Sequence, residues 1–255
     1  MKDILVGSRY RLLDSVGSGG EAQVFRARDE TTAKEVAVRL GHHPEAGITP
    51  GQMPAFHHNW VQLLDSGLDP QHGAYHVFEL LEGKTLHQVI EQSILEPESW
   101  LSFVHQTLDA VEALHVAGWI HGDLNADNFF RTALCWKLLE LPFLRFVPET
   151  GRTHLFGSIH TLSPEQLNGK PPDTRSDLYA LGCIYYYAAS GEYPHSGASS
   201  QEITISRLRF PPAPLSQRAP RLPVAWSTWV MSLLAIDPQN RFSTAAAARQ
   251  MLKIA

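Results

Sequence analysis

Cysteine is scarce in this chain, which excludes a fold held together by disulfides. Cys135 and Cys183 both lie in apolar runs, so we interpret them as small buried hydrophobic residues. The sequence also lacks any run of about 18 apolar residues and the apolar core of a signal peptide. We therefore expect a cytoplasmic protein and no membrane contact from this segment.

An excess of positive charge is lacking as well. The formal net charge is −5 and the isoelectric point is near 6.2. Nucleic acids and anionic membranes usually require a basic face, so we expect neither as a partner and predict another protein instead. The composition that is present, 44% hydrophobic and 18% charged over 255 residues, is that of a globular protein with a sizeable core.

The first 82 residues are predicted to form a small, β-rich lobe. Residues 10–40 alternate apolar and polar side chains around a glycine-rich turn, a pattern typical of short antiparallel strands. Two further strand-like runs follow at 60–64 and 75–80. Before these two runs, residues 41–56 carry three prolines and three glycines, which disfavour a helix by about 3 and about 1 kcal/mol each.

From Thr85 onward the apolar residues recur with a helical period. Later helices are predicted at Asp177–Ser190, Pro223–Ile236 and Thr244–Ile254. Residues 83–255 are therefore expected to form a larger, mainly α-helical lobe, and the predicted fold class is α+β with two lobes.

One stretch of the sequence, residues 120–128, contains the residues that indicate a chemical function. Residues 120–128 read Ile-His-Gly-Asp-Leu-Asn-Ala-Asp-Asn, which resembles the catalytic loop of protein kinases. A glycine loop and a Val-Ala-Val-Arg strand precede it at family spacing, and the chain is similar to bacterial serine/threonine protein kinases over nearly its whole length. Aminoglycoside phosphotransferases also carry His-Gly-Asp-Leu, so the loop indicates the bilobal protein kinase-like fold more firmly than the substrate.

The resemblance implies roles for several residues of the large lobe. Asp123 matches the catalytic aspartate, Asn128 the metal-binding asparagine and His121 the structural histidine of the loop. Outside the loop, Asp177 matches the aspartate of the central helix that braces the loop. The family's structural ion pair corresponds to Glu165 and Arg241.

The resemblance also implies a nucleotide pocket. Glycines at the loop of the small lobe would let the backbone approach phosphates closely. Phe78 matches the gatekeeper, and Phe130 falls under the expected adenine, where a phenyl ring would narrow the pocket. The residues predicted to form this vestigial pocket are Gly17, Gly19, Gly20, Val24, Ala37, Arg39, Phe78, Glu79, Leu81 and Phe130.

Several charges depart from the family pattern. Arg39 replaces the phosphate-binding lysine, and the predicted lack of a helix over 41–56 removes the glutamate that would pair with it, leaving the αC helix degenerate or missing. Asn125 replaces a lysine of the catalytic loop. Glu140 occupies the metal-aspartate position, and Leu141-Pro142 replaces the Phe-Gly that follows it.

These departures predict a pseudokinase that serves as a scaffold, regulatory or protein-binding module. Working kinases need the lysine–glutamate pair and the metal aspartate together, so this interpretation implies no metal and weak or no binding of ATP and magnesium. The alternative is an atypical active serine/threonine protein kinase, with Asp123 as the base and Glu140 and Asn128 as metal ligands.

Overall fold

The structure, a computed structural model, describes residues 4–19, 22–41, 56–140 and 158–254. These residues form two compact units. The small unit extends to Gly83 and also takes in Glu140, and the large unit begins at Lys84. The predicted α+β fold class is confirmed, because strands dominate the small unit and helices the large one. The predicted absence of a helix over 41–56 lies almost entirely outside the described residues.

An antiparallel sheet forms the small unit, with its described strands in the order β1-β2-β3-β4-β6-β5. Side chains alternate between the two faces of this sheet, so one face can carry an apolar core while the other face carries a different set of side chains. Val36, Val38, Tyr75 and Val77 belong to that core. The strands are Leu5–Val6, Tyr10–Gly19, Ala22–Asp29, Glu35–Gly41, Leu63–Asp69 and Gly73–Glu79.

The fifth strand corrects the sequence prediction. A strand was predicted at 60–64, whereas β5 runs over Leu63–Asp69. Trp60 and Val61 are instead buried by packing, and β5 pairs with β6 at the edge of the sheet. An edge strand is hydrogen-bonded on one side only, so β5 can contain polar residues although the apolar run lies before it.

The large unit consists of helices and a small three-stranded sheet in the order β7-β8-β9. No helix of the described residues combines the length and the apolar character that a membrane crossing requires. The strands are Lys84–Thr85, Phe129–Arg131 and Trp136–Leu138. The helices α1 to α8 are Leu86–Ile90, Pro97–Val116, Pro164–Leu167, Thr174–Ser190, Ser200–Arg209, Leu215–Arg218, Val224–Leu233 and Ala245–Ile254.

Helix α4 lies at the centre of the large unit. Its N-terminus is capped by Asp173, whose carboxylate accepts from the backbone N–H of Arg175, and this cap starts the helix three residues before the predicted Asp177. Gly191 ends it in the left-handed conformation, with φ of 77°. Nearly all of its side chains are buried, so the apolar and aromatic run of this segment forms core.

The two cysteines are both free thiols, but they differ in burial. Cys183 lies in α4 and is fully buried, as predicted. Cys135 is only partly buried, which corrects the prediction for that residue. It ends the turn between β8 and β9, where its N–H and its C=O both bond to the hydroxyl of Thr132.

Candidate active site

The backbone of the predicted catalytic loop is held by Asp177. Its Oδ2 accepts hydrogen bonds from the backbone N–H of His121 at 2.8 Å and from His115 Nε2 at 2.9 Å, and its Oδ1 accepts from the N–H of Gly122 at 2.8 Å. Asp177 is 2% exposed. Burial raises the pKa of this carboxyl. The hydrogen bond and charge of His115, the charge of His121 and the hydrogen bond from Gly122 lower it by a larger amount, so the net pKa is below the ordinary value.

The rest of the loop is closed by a pair of asparagines around the 3-10 turn Ala126–Asn128. The N–H of Asn125 donates to Asn128 Oδ1 at 2.8 Å, and the N–H of Asp127 donates to Asn125 Oδ1 at 2.9 Å. Asn125, the residue that replaces a lysine, therefore serves as the cap of this turn. Its side chain also donates to the carbonyl of Asp123 at 3.4 Å.

Asp123 stands out in this hydrogen-bonded loop. Its Oδ1 is buried and accepts no hydrogen bond from any described group. A buried polar atom without a partner is uncommon, and a catalytic role is one of the standard explanations. Beside it lies a cavity with room for about one water molecule, lined in part by Thr161, Leu162 and Gln166.

Gly122 has a conformational reason to be glycine. Its φ is +75°, a region that residues with a side chain rarely adopt. A Cβ added there would meet nothing within 4 Å, so backbone conformation and not crowding favours glycine at this position. The two N–H groups on either side of its Cα, those of Gly122 and Asp123, point to Asp177 Oδ1 and, more loosely, to His121 Nδ1.

In the small unit, four of the predicted nucleotide residues, Val24, Ala37, Arg39 and Phe78, share one face of the sheet. Directly opposed residues of antiparallel strands project to the same side. Val24, Arg39 and His76 are opposed across β3, β4 and β6, and Ala37 is opposed to Phe78. The two sets share a face because Ala37 and Arg39 are two residues apart.

The remaining predicted pocket residues have plain structural positions. Gly17 pairs with Val24 in the β2–β3 ladder, and a Cβ added at Gly17 would meet nothing within 4 Å, so this backbone is open to close approach. Gly19 is the last residue of β2. Glu79 Oε1 accepts from the N–H of Gln62 at 2.9 Å. Leu81 is partly buried in the small unit, Phe130 is partly buried in β8 of the large unit, and Gly20 lies outside the described residues.

Arg39 and Glu140, the two departures of the small unit, lie close to each other. Arg39 Nη2 is 3.9 Å from Glu140 Oε1, and the side chains are 18% and 43% exposed. Glu140 also has φ of +60°, although it is not glycine. Such a conformation costs about 1–2 kcal/mol and is concentrated at functional sites. Leu141-Pro142, the other departure predicted at this point, lies outside the described residues.

The sequence patterns did not reveal His76. It is 5% exposed on the same sheet face as Arg39. Burial and, after it, the positive charge of Arg39 together lower its pKa to about 4. The two-residue spacing between His76 and the predicted gatekeeper Phe78 is the signal that could have revealed it.

The predicted structural ion pair forms within the large unit. Arg241 Nη1 and Nη2 donate to Glu165 Oε1 and Oε2 at 2.7 and 2.8 Å, and Ser176 Oγ donates to Oε1 at 2.7 Å. Burial raises the pKa of Glu165. The hydrogen bond and charge of Arg241 lower it by a larger amount, so the net pKa is below the ordinary value. The pair links α3 to the segment before α8.

The predicted metal ligands have oxygen atoms of the right kind. Magnesium prefers carboxylate and amide oxygens. Asn128 Oδ1 is an amide oxygen, and it accepts a hydrogen bond from the backbone N–H of Asn125. The carboxylate of Glu140 is 43% exposed. These donors fit magnesium, although within the described residues no group of three or more His, Cys, Asp or Glu side chains is placed to hold a metal.

Comparison with known families identifies the class of protein. The family described as protein kinase domain matches residues 10–253, almost the whole chain. The chain belongs to this family, as the sequence resemblance predicted. The family match leaves the roles of the individual site residues as predictions.

Curated relatives narrow the similarity to bacterial enzymes. The chain is 30% identical to serine/threonine-protein kinase PknB of Mycobacterium leprae over 96% of this chain and 42% of the relative. It is 28% identical to probable serine/threonine-protein kinase PknB of Corynebacterium glutamicum over 95% of this chain and 41% of the relative. A probable serine/threonine-protein kinase of Clostridium perfringens is 30% identical, over 94% of this chain and 37% of the relative. The chain thus spans about two fifths of the length of these relatives.

Proposed function

We propose that this chain is an atypical but active protein kinase domain, which transfers phosphate from ATP to a serine or threonine hydroxyl of another protein. This was the alternative in the sequence analysis, and the names of the relatives support it over the pseudokinase. The observation that carries the proposal is the hydrogen bonding of Asp123. Its buried Oδ1 accepts no hydrogen bond from the described residues, while the loop around it is closed by hydrogen bonds.

A general base needs an oxygen of this kind. It must be held in place and must keep a lone pair for the proton of the attacking hydroxyl. Asp177 and the asparagine pair hold the backbone of the loop on both sides of Asp123, so the position of its Cα is fixed. In the proposed reaction, Asp123 accepts that proton.

ATP and magnesium are the proposed cofactors. Asn128 and Glu140 are the proposed metal ligands, and Arg39 is the proposed cation for the phosphates. Bound magnesium would neutralise the charge that develops on the phosphates. The left-handed backbone at Glu140 supports a functional role for this residue, because strain of this kind persists where function requires it.

One observation favours the pseudokinase, namely the contact between Arg39 and Glu140. A closed pair would occupy both the cation for phosphate and the carboxylate for metal. However, the N–O distance is 3.9 Å and Glu140 is 43% exposed, so the pair contributes less than about 1 kcal/mol. Binding of magnesium and ATP could therefore open it.

Phosphate transfer from radiolabelled ATP to an acceptor protein, with magnesium present, tests the proposal. We expect incorporation by the unaltered chain and a loss of about 10²–10⁴-fold in Asp123→Asn, the range of a general base. Asp127→Asn is the matched control, because Asp127 is an exposed carboxylate of the same loop that bonds to Thr85. Equal incorporation by both variants would refute the role of Asp123.

Thermal unfolding with ATP separates the kinase from the binding module. A ligand at 100 times its dissociation constant stabilises the folded chain by about 2.7 kcal/mol. We expect a rise in Tm that depends on magnesium and that is reduced in Glu140→Gln. No rise with ATP, together with no transfer, would support the protein-binding module. A rise without transfer would indicate a nucleotide sensor.

A further inference from the structure

Arg207 is an unusual buried cation of the large unit. It lies in α5 and is 0% exposed. Among the described residues, no carboxylate lies within 4 Å of its guanidinium. Placing a charge in the interior without a partner of opposite charge is costly, so its surroundings must compensate for the lost water.

The compensation comes from three backbone carbonyls of one short segment. Arg207 Nη1 donates to Ile159 O at 2.6 Å and to Leu162 O at 2.7 Å, and Nη2 donates to His160 O at 2.9 Å. The planar fork of arginine can reach several acceptors at once in a fixed geometry. One side chain therefore sets the directions of three carbonyls.

The same segment borders the cavity of the proposed base. Thr161 and Leu162 line that cavity together with Asp123. The N–H groups of Thr161 and Leu162 both bond to Ser158 O, at 2.9 and 3.1 Å, which closes the segment into a turn. Local bonds thus satisfy two of its N–H groups, whereas its carbonyls depend on Arg207 from a distant helix.

We propose that Arg207 is a positioning residue, which fixes residues 159–162 as the wall against which the acceptor hydroxyl meets Asp123. The inference rests on the proposed kinase function. It assigns to α5 a part in the geometry of the acceptor, although α5 contributes no side chain to the cavity. A small displacement of the wall would misplace the hydroxyl, and misplacement of about 1 Å can reduce a rate by about 10²-fold.

Steady-state kinetics of three variants test this role. In Arg207→Met, which removes all donors, kcat/KM for the acceptor protein should fall by about 10–100-fold, and KM for ATP should stay within about twofold. Arg207→Lys keeps the charge but not the planar guanidinium, so its kcat/KM for the acceptor protein should lie between the values of Arg207→Met and the unaltered chain. Arg209→Met is the matched control, because Arg209 is exposed on the same helix.

The opposite result is equally clear. If Arg207→Met and Arg207→Lys only reduce the amount of folded protein, and the remaining enzyme has unaltered constants for acceptor and ATP, then Arg207 is merely structural and the proposal is overturned.

Amide hydrogen exchange of the whole chain keeps the inference testable if no transfer is detected. We expect the amides of Thr161 and Leu162 to lose protection in Arg207→Lys and not in Arg209→Met. Unchanged protection would overturn the positioning role. Lost protection in a chain that transfers no phosphate would leave Arg207 fixing the segment while the kinase proposal fails, so the two failures are distinguishable.

Discussion

Replacing Asp177 by asparagine should destabilise the large unit strongly, although the two side chains have nearly the same shape. The carboxylate accepts from donors on both of its oxygens, namely two backbone N–H groups and His115 Nε2. An asparagine has one oxygen and one NH₂ group. Whichever way the amide is turned, its NH₂ group faces at least one buried N–H donor.

The expected loss can be worked out from these contacts. A hydrogen bond to a charged group contributes about 1.5–3 kcal/mol, and a buried donor left without a partner costs about 1–3 kcal/mol. Together they predict that Asp177→Asn lowers the free energy of unfolding by about 2.5–6 kcal/mol. Phosphate transfer should also fall, because the lost bonds hold the backbone on either side of Asp123.

Urea unfolding followed by circular dichroism measures the loss, with Asp173→Asn as the control. Asp173 caps the same helix, and asparagine is as good a cap as aspartate. The control also breaks the contact with Arg175, but Asp173 is 46% exposed, so the loss should stay below about 1 kcal/mol. A difference of less than about 1 kcal/mol between the two variants, on the same order as the control itself, would refute the bracing role.

Further outcomes concern the core of the large unit. Glu165→Gln leaves the buried guanidinium of Arg241 without its charged partner and should cost about 3–5 kcal/mol in urea unfolding. Gly182→Ala would place a Cβ 2.8 Å from Leu233 Cβ, so overpacking should cost about 1–3 kcal/mol in the same assay. Both Asp177 and Glu165 have a lowered pKa, so their contribution to stability is complete above their unfolded pKa of about 4 and is lost as the pH falls further. Far-ultraviolet circular dichroism should therefore show acid unfolding below about pH 4, and equal stability at about pH 3 and about pH 7 would contradict this assignment.

Local patterns were sufficient to predict several of the elements and the class of the chain. Alternation identified most of the long strands of the small unit, and the helical period identified α4, whose start was shifted only by the cap at Asp173. The ordered motifs around Asp123 indicated the family that the comparison then showed. These signals are readable because they depend on residues that are close in sequence.

Contacts over long sequence separations could not be predicted in this way. Arg39 and Glu140 were predicted as two independent departures, yet they form one ion pair. The strand predicted at 60–64 was misplaced, because pairing with β6 and not the apolar run decides where β5 lies. His76 acquires its lowered pKa only when the sheet buries it on the same face as Arg39.

The order of the amino acids established which groups the chain possesses: a kinase loop with its aspartate and asparagine, and altered charges where lysine and aspartate are expected. Folding established which of these groups have hydrogen-bond partners. Asp177 and Arg207 take up the polar groups of the loop and of the segment 159–162, and they leave Oδ1 of Asp123 without a bond from the described residues. Folding has this role because the free-energy cost of burying a polar group depends on hydrogen-bond partners that are distant in sequence.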